Sequence, residues 1–209
     1  MTQSYKENAP GQVTAILFDF GGVLAEEGFR EGLLALAREQ CLDEDSMPSE
    51  GMRAVYDSGF VLGRGTASDF WALLRKRTGL AGTDEELTKR ILDGFVVRPW
   101  MMELVVNLKQ RGYTTGILSD QTHWLDMLDQ RYHFYQHFEH IFNSYYLGKG
   151  KQDKTLFADV AELLHRSPAE ILFVDDDSAN VARARSCHYQ VIIYLDQIQF
   201  IAELEKVLS

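Results

Sequence analysis

The chain has 209 residues, of which 45% are hydrophobic and 25% charged, with 21 basic and 31 acidic side chains and a formal net charge of −10. This length is typical of one domain, or of one domain with a modest insertion. The composition argues against a membrane-spanning protein, because no stretch approaches the roughly 18 uninterrupted apolar residues of a membrane helix. The acidic balance argues against nucleic acid and membranes as partners, since anionic partners need a concentrated basic face.

Residues 1–10 and the two cysteines bear on the location of the protein. Residues 1–10 are polar and lack the apolar core of a secretory signal, so a frayed end of a cytoplasmic protein is expected. Cys41 and Cys187 lie far apart without the spacing of a metal site, which predicts two reduced, partly buried thiols.

The first predicted element is a buried parallel strand. Residues 13–24 form a near-continuous apolar run, rich in β-branched and aromatic side chains, that contains Asp19 and the pair Gly21-Gly22. Such a run predicts a strand that stops abruptly. Asp19 would lie at its carboxyl end, where open α/β sheets bind ligands. The alternative is an Asp that caps a turn or the next helix.

Residues 25–98 are predicted to be helical. Apolar residues recur there at three- and four-residue steps, which indicates about four amphipathic helices without an intervening strand. Thr66 and Thr83 are each followed three residues later by an acid, the pattern of a capping box. Because this segment leaves the sheet just after Asp19 and returns before the second strand, we expect it to cover the same edge as a lid.

From residue 99 onward the pattern alternates between helix and strand, as in βαβ units. The predicted strands are 114–118, 141–145, 171–174 and 190–194, and the predicted helices are 101–111, 122–138, 153–164, 179–186 and 198–208. His133, His137 and His140 recur at helical steps, but the aromatic side chains between them favour a packed helix over a metal site. The chain is therefore predicted to be an α/β protein with a parallel sheet and an inserted helical cap.

Right-handed crossovers would bring the carboxyl ends of the strands to one edge of the sheet. The polar residues expected at that edge are Asp19, Ser119, Lys151 and the triplet 175–177. Three adjacent carboxylates raise one another's pKa unless a cation neutralises them, and a purely carboxylate site suits Mg²⁺. The alternative is a helix N-terminus, which also favours acids.

A carboxylate beside Mg²⁺ can attack phosphorus and form an aspartyl-phosphate, and Asp19 is the candidate. Ser119 and Lys151 then fit as groups that hold a phosphate and offset its growing negative charge. Each of them alone could equally be a turn serine or a solvated loop lysine. Their order and spacing together favour the phosphate-binding interpretation.

Four motifs in this order resemble the haloacid dehalogenase (HAD) superfamily, in particular its phosphatase-like branch with a helical cap inserted after the first motif. They are Ile-Leu-Phe-Asp-Phe-Gly-Gly-Val-Leu at 16–24, Gly-Ile-Leu-Ser-Asp at 116–120, Leu-Gly-Lys-Gly-Lys-Gln-Asp at 147–153 and Ile-Leu-Phe-Val-Asp-Asp at 171–176. The resemblance implies a three-layer Rossmann-like core of residues 11–24 and 99–209, a helical cap of residues 25–98, bound Mg²⁺ and a covalent intermediate on Asp19.

The resemblance also assigns roles to individual residues. The implied metal ligands are Asp19, the backbone carbonyl of Gly21, Asp175 and Asp176. Asp19 is also the implied nucleophile, with Ser119 and Lys151 as its catalytic partners, and the implied phosphate-binding residues are Ser119, Asp120 and Lys151. Asp177 is expected to begin the following loop.

Gly21 departs from the family pattern. Many of these phosphatases carry a second Asp two residues after the nucleophile, which protonates the leaving group and later activates water. Gly21 keeps the backbone carbonyl and loses this proton shuttle. Because general acid–base help is worth about 10²–10⁴-fold, the chemistry would be slow, restricted to good leaving groups or assisted by another residue.

The predicted function is Mg²⁺-dependent hydrolysis of a small phosphorylated metabolite, with a sugar phosphate as one candidate. One alternative is a carbon–halogen hydrolase that works without metal, for which the Asp175-Asp176 pair would be a liability. Another is a catalytically weak member that binds phosphate or a partner. The sequence leaves the substrate and the oligomeric state open.

Overall fold

A computed structural model describes residues 11–209 of the chain. The expected frayed end at residues 1–10 lies outside the described residues. The strands are β1 (Ala15–Phe18), β2 (Thr114–Ser119), β3 (His140–Asn143), β4 (Ile171–Asp175) and β5 (Gln190–Ile193). The helices are α1 (Gly28–Glu39), α2 (Met47–Asp57), α3 (Ala67–Thr78), α4 (Asp84–Leu92), α5 (Pro99–Gln110), α6 (Trp124–Tyr132), α7 (Ser144–Leu147), α8 (Thr155–Leu163), α9 (Ser178–Ser186) and α10 (Gln197–Val207). Short 3₁₀ turns lie at Phe60–Leu62, Tyr135–His137 and Pro168–Glu170.

The five strands form one parallel sheet in the order β3-β2-β1-β4-β5. The predicted first strand, β1, is therefore at the centre, with β2 and β3 on one side and β4 and β5 on the other. Phe18, the last residue of β1, pairs with Ile117 of β2 and Val174 of β4. This register brings the residues that follow the three strands to a common edge.

Side chains of β1 alternate between two separate apolar clusters. Ile16 and Phe18 belong to the larger cluster, which includes residues of α1–α6 and α10. Ala15 and Leu17 belong to the smaller one, which includes residues of α8 and α9. Successive side chains of a strand point to opposite faces, so the sheet lies between two layers of helix. The predicted three-layer α/β fold is confirmed.

Helices α1–α4, which we call the helical insertion (Gly28–Leu92), follow β1 without a further strand, as predicted. Both predicted capping boxes are present: Thr66 accepts from the backbone N–H of Asp69 at 3.2 Å, and Thr83 accepts from that of Glu86 at 3.3 Å. The carboxylate of each acid in turn accepts a hydrogen bond from the backbone N–H of its Thr. The capping boxes therefore predict where α3 and α4 begin.

The predicted helix 122–138 and strand 141–145 are wrong in part. Helix α6 ends at Tyr132, because His133 adopts a left-handed conformation (φ 55°) while its N–H bonds to the carbonyl of Asp129 at 2.7 Å. His133 therefore follows α6, His137 lies in a 3₁₀ turn and His140 in β3, so the three histidines do not lie along one helix. Strand β3 ends at Asn143, whose side chain accepts from the N–H of Tyr145 at 3.0 Å and begins α7.

Cys41 and Cys187 are free thiols; Cys187 is half-buried, as predicted, whereas Cys41 is exposed, so the prediction of two partly buried thiols is wrong for Cys41. Among residues 11–209, none of the helices is both long enough and apolar enough to cross a bilayer. The division into core and cap at residues 25–98 and the cytoplasmic location stay predictions.

Candidate active site

Asp19 lies at the carboxyl edge of the sheet, directly after β1. Its backbone N–H donates to the carbonyl of Val174 at 2.8 Å, which extends the parallel pairing by one residue. Its Oδ1 accepts two hydrogen bonds of 2.6 Å, from the backbone N–H of Phe20 and from the hydroxyl of Ser119 at the end of β2. The expected meeting of Asp19 and Ser119 is therefore present, and both bonds fix the orientation of the carboxylate.

Lys151 is the buried cation of the site, with 1% of its side chain exposed. Its Nζ lies 2.7 Å from Asp19 Oδ2 and 2.7 Å from Asp175 Oδ2. Burial by itself would lower the pKa of Lys151, but the charges of Asp19 and Asp175 outweigh it and hold that pKa above its usual range. A permanently charged ammonium thus lies between two carboxylates.

Asp120 holds the loop that carries Lys151. Its carboxylate accepts the backbone N–H of Lys151, at 2.9 Å and 3.1 Å from the two oxygens. It also accepts the hydroxyl of Tyr56, from α2 of the helical insertion, at 2.7 Å. Asp120 therefore positions the lysine loop and joins the insertion to the sheet edge, while its contact with phosphate stays a prediction.

The acidic triplet after β4 divides between two tasks. Asp175 is buried, and its carboxylate accepts the backbone N–H of Asp177 at 2.8 Å and faces the side-chain amide of Asn180 at 3.2 and 3.3 Å. The side chain of Asp177 instead accepts the backbone N–H of Ala179 at 2.7 Å and caps α9. Asp177 thus stabilises the helix start, the role that the alternative interpretation gave to one member of the triplet.

Asp176 lies against the backbone of Gly22, and this contact explains the second glycine of the pair. A Cβ atom on Gly22 would lie 2.1 Å from Asp176 Oδ2, and the φ of Gly22 is +78°. Both facts exclude an ordinary L side chain without displacement of the Asp176 carboxylate. Gly22 is therefore part of what places Asp176 at the site.

Asp19, Asp175 and Asp176 each offer a carboxylate oxygen within a group whose members all lie within 4.8 Å of one another. Burial raises the pKa of all three, that of Asp175 to about 6, and Lys151 opposes the rise. A hard divalent cation would offset the repulsion between the three carboxylates, so the donor set fits Mg²⁺. Gly21 lines the same cavity, and ligation by its carbonyl stays a prediction.

A cavity of about 370 Å³ opens in front of these groups. Its floor includes Asp19, Ser119 and Lys151, and the helical insertion supplies an apolar wall that includes Phe29, Pro48, Met52, Val55 and Val61. Arg30 and Arg183 add positive charge to the lining. The insertion therefore contributes directly to the cavity over Asp19, as expected for a segment that leaves the sheet just after this residue.

Three residues of the site were missed by sequence reasoning. Tyr56 bonds to Asp120, and Asn180 contacts Asp175 from the first turn of α9. The third is Glu27, a half-buried carboxyl that lines the cavity beside Gly21 and whose pKa burial raises to about 7. The available signal for Asn180 was its place one turn after the acidic triplet, whereas Tyr56 and Glu27 reach the site through the path of the insertion.

A central parallel strand followed by a carboxylate, with further acids and a buried lysine at the same edge, is typical of the class of α/β proteins that bind ligands at the carboxyl ends of their strands. The family model for haloacid dehalogenase-like hydrolases matches residues 13–188. The chain therefore belongs to the haloacid dehalogenase-like hydrolase family, and the resemblance of its four motifs to this family is confirmed.

Curated relatives match part of the chain. Bifunctional epoxide hydrolase 2 of Rattus norvegicus is 31% identical over 114 residues, which cover 51% of this chain and 20% of that protein. The Mus musculus protein of the same name is 29% identical over 114 residues, again 51% of this chain and 20% of that protein. The matched region is thus a minor part of these relatives' own length.

Solved structures share the fold across nearly the whole chain. A HAD family enzyme from Bacteroides thetaiotaomicron, in complex with magnesium and inorganic phosphate, has a TM-score of 0.70 at 19% identity and covers 90% of this chain and 98% of its own. A HAD-like family hydrolase from Porphyromonas gingivalis has a TM-score of 0.69 at 20% identity, with 94% and 98% covered. L-2-haloacid dehalogenase from Xanthobacter autotrophicus has a TM-score of 0.66 at 18% identity, with 93% and 83% covered.

Proposed function

We propose that the protein is a Mg²⁺-dependent phosphohydrolase that acts on a small phosphorylated metabolite through an aspartyl-phosphate on Asp19. The observation that carries this proposal is the group of three carboxylates within 4.8 Å of one another beside a fully buried lysine. Three acids at one edge need a dication, and a fixed ammonium beside the nucleophile suits an anionic transition state. The magnesium and phosphate complex of the Bacteroides thetaiotaomicron enzyme agrees with this choice.

In the first step a carboxylate oxygen of Asp19 attacks phosphorus and the bond from phosphorus to the ester oxygen breaks. The hydrogen bonds of Phe20 and Ser119 to Asp19 Oδ1 hold the carboxylate in one orientation for this attack. The ammonium of Lys151, 2.7 Å from Asp19 Oδ2, offsets negative charge that gathers on the phosphoryl oxygens. When bound, Mg²⁺ supplies Lewis-acid stabilisation of the phosphoryl group. Water then hydrolyses the aspartyl-phosphate and restores Asp19.

The cavity favours a small substrate. A volume of about 370 Å³ admits a phosphorylated metabolite of sugar size, which is one candidate, and the arginines Arg30 and Arg183 can face its anionic end. The Tyr56–Asp120 hydrogen bond supports a lid function for the helical insertion, since it joins α2 to the loop that carries Lys151. In this proposal the protein works in the cytoplasm without nucleic acid or membrane.

A carbon–halogen hydrolase shares this fold, as the Xanthobacter autotrophicus structure illustrates. The arrangement of this chain is less suited to that reaction. Asp175 and Asp176 lie within 4.8 Å of the nucleophile Asp19 and would repel an anionic haloacid in the absence of a metal. A phosphate- or partner-binding protein with little turnover is the other alternative. Only a measurement of catalytic activity distinguishes it from the phosphohydrolase.

The test is phosphate release from a panel of phosphate monoesters in the presence of Mg²⁺, with Asp19→Asn as the control variant. We expect turnover that a chelator abolishes and that Asp19→Asn lacks. Turnover of haloacids that survives the chelator would support the dehalogenase instead. Tight Mg²⁺-dependent phosphate binding without turnover of any ester would support the binding protein.

A further inference from the structure

Gly21 has no side chain, so the position beside Asp19 from which a second Asp would donate a proton is unfilled. Gly21 has a backbone conformation open to any residue, and a Cβ built there meets ordinary contacts, 3.4 Å to Phe95 Cε1 and 3.6 Å to Glu27 Oε1. A Cβ atom is thus accommodated at residue 21 without a clash. The edge of this position is already formed by a carboxyl group that comes from another element.

We propose that Glu27 is the general acid and base of this enzyme, in the position that a second Asp would otherwise take. This inference rests on the proposed phosphohydrolase function and names the residue that completes it. Glu27 lies eight residues after Asp19, immediately before α1, and both line the same cavity. The carboxyl therefore faces the cavity of Asp19 from the N-cap of α1.

The Glu27 side chain is held in place by the helix that it caps. Its Oε2 accepts the backbone N–H of Arg30 at 2.7 Å, which leaves Oε1 as the oxygen nearer to Gly21. The adjacent Glu26 is exposed and forms an ion pair with Arg98 at 3.0 Å. Of these two neighbouring acids, Glu27 alone lines the cavity.

Other proton donors in the cavity already have different partners. Tyr56 donates its hydroxyl to Asp120, and Asp120 also holds the backbone of Lys151. Asp176 belongs to the acidic group that fits the metal. Glu27 lies outside that group and next to the position from which a side chain at residue 21 would act.

The proton transfers balance over the two steps. As the Asp19 oxygen bonds to phosphorus, the electron pair of the breaking P–O bond passes to the ester oxygen, which takes the proton of Glu27 and leaves as an alcohol. The Glu27 carboxylate then takes a proton from water while the water oxygen bonds to phosphorus. The pair of the breaking bond between phosphorus and Asp19 returns to Asp19, phosphate departs, and Glu27 is again protonated.

The test is the dependence of kcat/KM on the leaving group in Glu27→Gln, because Gln retains an oxygen that can cap α1. A proton donor is needed by alkyl phosphates and hardly needed by p-nitrophenyl phosphate, whose leaving group departs as an anion. We expect kcat/KM to fall about 10²-fold or more for alkyl phosphates and to stay within about threefold for p-nitrophenyl phosphate. We also expect a burst of nitrophenolate, because water activation is slowed as well.

Glu39→Gln is the matched control, since Glu39 lies at the other end of α1, is exposed and does not line the cavity. It should leave both substrates unaffected. The double variant with Gly21→Asp and Glu27→Gln should regain alkyl phosphatase activity, because the backbone of residue 21 accepts a Cβ without a clash and the new carboxyl would replace that of Glu27.

Two outcomes overturn the proposal in distinguishable ways. An equal loss on alkyl and aryl phosphates in Glu27→Gln, with unchanged thermal stability and an active wild type, refutes the role of Glu27 and leaves the phosphohydrolase intact. A wild type without any turnover that depends on Asp19 refutes the phosphohydrolase itself, and the role of Glu27 with it.

Discussion

Gly22→Ala tests whether the position of Asp176 determines metal binding. The new Cβ would lie 2.1 Å from Asp176 Oδ2, whereas ordinary contact begins at 3.4 Å, so this oxygen must retreat by about 1.3 Å. The short Asp side chain can rotate away, so the fold survives while the carboxylate group is broken. Metal–ligand distances tolerate about 0.2 Å, and we therefore expect Mg²⁺ affinity to fall at least about tenfold.

The substitution also costs backbone energy, and Gly79→Ala measures that cost separately. Gly79 has nearly the same conformation, φ +76° against +78°, but a Cβ there meets nothing within 4 Å. Both variants should lose about 1–2 kcal/mol of unfolding free energy from the left-handed conformation. Calorimetric titration with Mg²⁺ should then separate them, since only Gly22→Ala loses affinity. Equal Mg²⁺ affinity in the two variants would refute the ligand role of Asp176.

Three further predictions concern the charges and the insertion. Lys151→Met leaves the buried carboxylates of Asp19 and Asp175 without their shared cation, and urea unfolding at pH 7 should show a loss of about 3 kcal/mol or more; an unchanged free energy would contradict this. Burial raises the pKa of Asp175 from 3.8 to about 6. The metal-free folded state therefore binds more protons than the unfolded chain at pH values between these two. The free energy of unfolding should then decline by about 3 kcal/mol as the pH rises through about 6. Mg²⁺ should reverse this decline and Asp175→Asn should flatten it, whereas a rise with pH in the metal-free protein would refute the shift. Tyr56→Phe removes the bond to Asp120 and should cost about 1 kcal/mol by urea titration, with a smaller change expected only if water replaces the hydroxyl.

The sheet and its reactive edge could be predicted because their signals are local. Each strand is a short apolar run that stops at a polar residue, and in parallel strands those ends meet. Asp19, Ser119 and Asp175 are predictable in this way. Lys151 lies on a loop, and only its order and spacing relative to the other three indicate that it belongs with them. The capping boxes at Thr66 and Thr83 are equally local, since a side chain bonds to a backbone group three residues away.

The failures arise where a tertiary contact or one unusual backbone conformation decides. The aromatic pattern around His133 has helical spacing, yet the left-handed conformation of that single residue ends α6. Nothing in the sequence reports that conformation. The position of Glu27 beside Gly21 likewise depends on the path of the chain from β1 to α1. The periodicity of the sequence indicates which face of a helix is apolar, but not where its first turn lies.

Covalent capture of the phosphoryl group on Asp19 tests directly whether this carboxylate is the nucleophile. The protein is mixed with Mg²⁺ and p-nitrophenyl phosphate, quenched in acid during turnover, digested and analysed by mass spectrometry, with Asp19→Asn in parallel. We expect one added phosphoryl group on the peptide that contains Asp19 in the wild type and none in the variant. Turnover of the ester with no phosphoryl group on that peptide would contradict it.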